Sequence, residues 1–239
     1  MTNAKEVFTY LDKYMALPKY QLERRADIFF ALYLEKVLST ILKDECKIVL
    51  PEFPLRCLKS KEKKSWKEIT KIDELIPIAG DSSTNIDYLI AGKKCLYFIE
   101  LKTEKNSFDP KQYWSYQFYS DRKNASWRSL MSFLLKLSEA SKKSDKYKEA
   151  IKQIQNADLQ IINETKENSA DINDVRVIYI APEGILEKSK GRLKRFKDSE
   201  EREGNLITLD QFAKTIKELG NNDDFSKRFV ESLEKWNNN

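Results

Sequence analysis

The segment Cys95-Leu96-Tyr97-Phe98-Ile99 is an apolar run that ends in Glu100-Leu101-Lys102. Side chains alternate along a strand, so Glu100 and Lys102 share a face with Leu96 and Phe98. That face must be covered by a helix, and its two charges then need partners, because a buried charge without one is costly. Asp87 sets the same problem in the apolar stretch Asn85-Ile86-Asp87-Tyr88-Leu89-Ile90. The two stretches are separated by Gly92-Lys93-Lys94, a hairpin signal. Pairing as a hairpin would bring Asp87 near Glu100. A divalent metal and a water then answer the charge economically, since carboxylates are hard oxygen ligands. A structural Glu–Lys pair at a strand end, with Asp87 in a turn, is the plain alternative.

Composition removes many other chemistries. The chain has 239 residues and no histidine. Ser-His-Asp and Cys-His catalysis are therefore excluded, as is any histidine general base. Cys46, Cys57 and Cys95 have no paired spacing, which fits a reducing compartment and no zinc site. No Gly-rich phosphate loop occurs. No apolar run approaches the roughly 20 residues of a membrane helix, and no signal-peptide pattern opens the chain. The expectation is a cytoplasmic protein without membrane contact. Chemistry is left to carboxylates, lysine, tyrosine or a bound metal.

Hydrophobic periodicity predicts a helix over 21–44, with Ile28, Ala31, Leu38 and Leu42 on one stripe and Phe30, Leu34, Val37 and Ile41 on a second. Residues 45–72 read as irregular, extended near Lys47–Leu50 and interrupted by Pro51 and Pro54. Three strands follow, over 75–79, 85–91 and 95–103. Helices are expected from Asp109 to about Ser120, over 126–139 and over 146–162. A fourth strand covers 175–180, and a basic helix 185–196. A short strand at 206–208 and helices to Leu219 and Trp236 complete the order. The fold class expected is α/β, a small mixed sheet flanked by helices. One domain spans 1–239, with a core over about 21–182 and a helical extension over 183–239.

Glu35 falls in the series Ile28, Ala31, Glu35, Leu38, Leu42 and would place a carboxylate on an apolar stripe, or at its edge reaching solvent. Gln112 and Tyr116 lie one helical turn apart near a helix start, where phosphate is attracted. Asp109-x-x-Gln112 is also a capping box. Two basic clusters, Arg56 to Lys67 and Lys188 to Lys197, suit a polyanionic partner or a solvated surface.

Asp87, then twelve residues, then Glu100-x-Lys102 on a hairpin, after a helix bearing Glu35, resembles the PD-(D/E)XK nuclease superfamily. Gln112-x-x-x-Tyr116 is similar to the QxxxY motif of its members related to recombination exonucleases. Ile86 stands where the nominal motif has proline. The resemblance spans about 27–180 and implies a restriction-endonuclease-like αβββαβ core. It implies Mg²⁺ or Mn²⁺ held by Asp87, Glu100 and the backbone carbonyl of Leu101, with Lys102 as the catalytic lysine. Glu35 becomes an accessory ligand or water holder, and Gln112 and Tyr116 contacts to substrate or the metal shell. The function expected is a metal-dependent deoxyribonuclease acting on DNA. The alternative is an inactive nuclease-fold module that binds nucleic acid or protein.

Overall fold

Every residue of the strand Cys95–Leu101 is buried in the computed structural model. The structure describes residues 4–14, 22–56, 83–93, 95–120, 126–140, 144–156, 172–196, 205–220 and 223–238. In chain order the elements are α1 (Ala4–Tyr14), α2 (Leu22–Leu42), β1 (Lys47–Arg56), β2 (Ser83–Ala91), β3 (Cys95–Leu101) and α3 (Pro110–Ser120). They continue with α4 (Trp127–Ala140), α5 (Ser144–Asn156), β4 (Asp174–Ala181), α6 (Ile185–Ser189), β5 (Leu206–Thr208), α7 (Leu209–Glu218) and α8 (Asp224–Asn237). The protein is α/β: the strands form a five-stranded sheet in the order β1-β2-β3-β4-β5. It is mixed, because β1, β2 and β3 pair antiparallel whereas β4 and β5 pair parallel. No helix among the described residues is long and apolar enough to cross a membrane.

The chain groups into two compact units, one of residues 46–99 and 109–177, the other of 1–45, 100–108 and 178–239. In the first, Gly92 N–H donates to the Cys95 carbonyl and closes the β2–β3 hairpin at 2.8 Å. Helix α3 lays Tyr116 and Tyr119 against Phe98, with ring centroids 6.3 and 6.0 Å away. This is the helix cover that the Leu96–Phe98 face demands. Asp109 caps α3, accepting from Lys111 N–H at 2.8 Å. The Cys95 thiol donates to Asp174 at 3.0 Å, and Arg176 holds the same carboxylate at 2.7 Å.

In the second unit, α2 buries Leu22, Ala26, Phe30, Leu34, Val37 and Leu38. Phe30 meets Phe212 of α7 and Phe229 of α8 at 5.4 Å each. Phe8 of α1 stacks on Phe229 at 5.6 Å. Tyr33 shares a 2.8 Å hydrogen bond with Ser226, whose backbone N–H is capped by Asp223. Asp12 of α1 accepts from Arg228 at 2.9 Å and from the Trp236 indole at 3.0 Å.

Several elements differ from expectation for identifiable reasons. β1 runs straight through Pro51 and Pro54. It is an edge strand, where a missing N–H is tolerated, and a register shift between Ile48 and Leu50 and a positive φ at Glu52 (52°) accommodate the kink. Helix α6 stops at Ser189 instead of reaching Phe196, because Lys190 and Gly191 turn left-handed (φ 51° and 80°). Helix α1 was not anticipated. The stripe containing Ile28 is only half core: Leu38 and Leu42 are buried, but Ile28 is 63% exposed, whereas Phe30, Leu34 and Val37 of the second stripe are buried. The strand expected over 75–79 lies outside the described residues.

Two predictions follow from this packing. Asp12→Ala strips partners from Arg228 and from a buried indole N–H, so unfolding stability should fall by about 2 kcal/mol, read as a lower urea midpoint. Asp12→Asn, which keeps an acceptor for Trp236, should lose less. Burial, with the bond to Asp174 adding to it, pushes the Cys95 thiol up to about 11. Cys95 should therefore resist a thiol reagent at about pH 8 in the native protein and react once unfolded, as followed by peptide mapping. Rapid native labelling of Cys95 would contradict this burial.

Candidate active site

Leaving the core at Ile99, strand β3 delivers Glu100, 1% exposed, and then Lys102, 7% exposed. The end of the strand is fixed by its neighbour, since Lys102 N–H donates to the Ile180 carbonyl of β4 at 2.9 Å. With the backbone held there, the two side chains emerge on one face. The Lys102 ammonium lies 2.5 Å from Glu100 Oε1. The first turn of α2 brings a second carboxylate, Glu23, whose Oε1 is 3.4 Å from the same ammonium. One carboxylate oxygen of Glu23 and one of Glu100 lie within 4.8 Å of each other.

This cluster holds two acids around one base. Fully ionised it would carry one net negative charge. Burial raises the pKa of Glu23 above the ordinary carboxylate value; Lys102 pulls it down and Glu100 pushes it up, and burial is the largest of the three. Chemically the arrangement offers a positioned ammonium donor and hard carboxylate oxygens that could hold a cation.

The sequence-predicted residues divide as follows. Glu100 and Lys102 come together. Leu101 lies between them, buried at 1% exposure. Glu35 is on α2 but twelve residues beyond Glu23, about 18 Å along the helix axis. It is not the acid brought to Lys102. Glu23 takes that place, and it sits one residue after the buried Leu22 and three before the buried Ala26. Its sequence signal was the core face of α2 carried back to the helix start.

Asp87 is half-buried on β2, immediately before Tyr88, and Tyr88 pairs with Ile99, the residue before Glu100. Gln112 Nε2 donates to the Tyr116 hydroxyl at 2.8 Å, and that hydroxyl donates to the Asn85 carbonyl at 3.0 Å. Tyr116 is fully buried. These two residues thus tie α3 to β2, two residues before Asp87. The basic cluster expected before the strands lies almost wholly outside the described residues.

The raised pKa of Glu23 has a signed consequence. A carboxyl whose folded pKa exceeds its unfolded one favours the fold below the ordinary pKa near 4.5, and that contribution is lost as pH rises through the raised value. Glu23→Gln removes the titration. The melting temperature of the variant should therefore gain on that of the parent between about pH 4 and about pH 7. A gain by the parent over that interval would reverse the assignment. No protein-family model, curated protein or solved structure matches the chain.

Proposed function

We propose that the protein is a metal-dependent nuclease that hydrolyses phosphodiester bonds in DNA on a restriction-endonuclease-like core. The observation that carries this reading is the burial of Glu100 and Lys102 together at the end of a core strand, with Glu23 drawn to the same ammonium. As a packing device the cluster is poor, because taking ions out of water costs several kcal/mol each and apolar residues would serve the core as well. As a site it has the parts that phosphodiester hydrolysis needs in a chain without histidine.

On this reading Asp87, on β2, is the second acid of the motif. Asp87, Glu100 and the Leu101 carbonyl would hold Mg²⁺ or Mn²⁺. The donor set fits such an ion, being all oxygen and bearing negative charge. A bound ion supplies acidification of water and neutralisation of phosphate charge. The chain's own residues do the rest. Lys102 donates hydrogen bonds from its ammonium to the attacking water and offsets charge gathering on the phosphate. Glu23 orients that ammonium. Gln112 and Tyr116 steady the strand that carries Asp87.

The test is cleavage of linear and circular duplex DNA by the full chain with Mg²⁺ or Mn²⁺. Cleavage should occur and EDTA should stop it. Glu100→Gln and Lys102→Met keep the side-chain shapes and should each lower the rate by about 100-fold or more, with unchanged circular dichroism. Full activity in both folded variants would sink the proposal. Salt-sensitive DNA binding with no cleavage under any divalent metal would point instead to a binding module on the same fold.

A further inference from the structure

The stretch from Glu183 to Phe196 carries five cations against two carboxylates. It is not a loose tail. After α6, Lys190 and Gly191 reverse the chain in left-handed conformations, and Leu193 is buried at 3% exposure. Beyond it the backbone is pinned on both sides of Leu206. Lys194 O accepts from Asn205 N–H and Leu206 N–H at 2.9 Å each, and Phe196 N–H donates to Leu206 O at 2.8 Å. Lys194 N–H also donates to Asn205 Oδ1 at 3.0 Å. This segment therefore lies as an outer edge beside β5, and Arg195 forms a parallel bridge with Leu206.

The cations on it divide by role. Arg192 donates to the Ser189 carbonyl at 3.1 Å, and Arg195 pairs with Glu183, so both brace the segment. Lys188, Lys190 and Lys194 are exposed, with Glu187 the exposed acid among them. Leu206 pairs with Tyr179, and the next residue, Ile180, accepts the Lys102 N–H. Lys194 and Lys102 are thus three strand spacings apart, roughly 14 Å at about 4.8 Å each. At about 3.4 Å per step, that is roughly four nucleotide steps along a duplex axis. Lys188 lies on α6 and Lys190 caps it, at the turn that leads to Lys194.

We propose that Lys188, Lys190 and Lys194 form a phosphate-backbone contact for duplex DNA, tracking the strand a few nucleotides from the Glu100–Lys102 site; this rests on reading that site as a nuclease's. A short helix end and the backbone-pinned segment that follows it, bearing exposed lysines, complement a polyanion. The contact involves no base edge, so it is independent of sequence.

The test measures binding of a short fluorescent duplex by anisotropy, with the full chain in EDTA so that no cleavage intervenes. The triple variant Lys188→Gln, Lys190→Gln, Lys194→Gln should bind about tenfold or more weakly at about 100 mM salt. Its plot of log affinity against log salt should flatten by about two to three, since each phosphate contact contributes about 0.9 to that slope. An unchanged affinity and slope would overturn the proposal. So would loss of binding to phosphatidylserine vesicles in a protein that never bound the duplex. Should the triple variant lose its fold, Lys188→Gln and Lys190→Gln singly carry the test, with a slope change of about one expected for each. Unchanged slopes in both would again overturn it. A flattened slope in a chain that cleaves nothing would uphold the contact and sink the nuclease reading; cleavage with an unchanged slope would do the reverse.

Discussion

The contact between Lys102 and Glu100 is the constraint on which the neighbouring structure depends. An ammonium at 7% exposure beside a carboxylate at 1% is stable only with close geometry on both partners. The geometry comes from the backbone. Lys102 N–H is tied to Ile180 O, so the end of β3 cannot fray and release the lysine to solvent. It comes also from α2, whose first turn must lie close enough to put Glu23 within 3.4 Å of the ammonium. The placement of that helix is in turn secured at the far side of its unit, where Phe30 and Tyr33 pack on Phe212 and Phe229. A polar cluster at the strand end and an aromatic cluster behind the helix thus fix the same element from two directions.

Much of this could be read in the sequence, and the parts that could not share a cause. The strands expected at 85–91 and 95–103 and the helices after Asp109 and Ser126 announce themselves by local pattern, and the structure has them there, the second strand ending at Leu101. Glu100 and Lys102 were legible because strand alternation needs no tertiary knowledge: two residues apart means one face. Helix phase is less forgiving. Two adjoining apolar stripes were visible on α2; the one with Glu35 is buried at Leu38 and Leu42 but leaves Ile28 in solvent, whereas the one with Phe30 and Leu34 is buried from the first half of the helix. A stripe's neighbours decide which face is core, and those neighbours, Phe212 and Phe229, lie about 180 residues away in the chain. The proline strand β1 failed for the same kind of reason. Pro51 and Pro54 forbid a central strand, and whether a strand is central or at the edge is set by the whole sheet.

Gln112 and Tyr116 show how a functional motif and a structural one can coincide. Their mutual hydrogen bond and the bond from Tyr116 to Asn85 O satisfy a buried hydroxyl completely and lock α3 to β2. A tyrosine so committed has no donor left over, since its single hydroxyl proton is already placed on Asn85 O. Any effect of Tyr116 on chemistry must then pass through the position of β2, and so through Asp87 two residues on. That makes it a positioning residue on the proposed function, whereas Lys102 acts with its own ammonium.

The charge count of the cluster gives the last step. Glu23 and Glu100 fully ionised around one ammonium leave a net negative charge in a largely dry place. Burial, more than the neighbouring Glu100, raises the Glu23 pKa above the ordinary carboxylate value. On the proposed function, a divalent ion at Glu100 would supply positive charge there and would loosen the hold of Glu100 on Lys102, whose ammonium could then donate to water and phosphate.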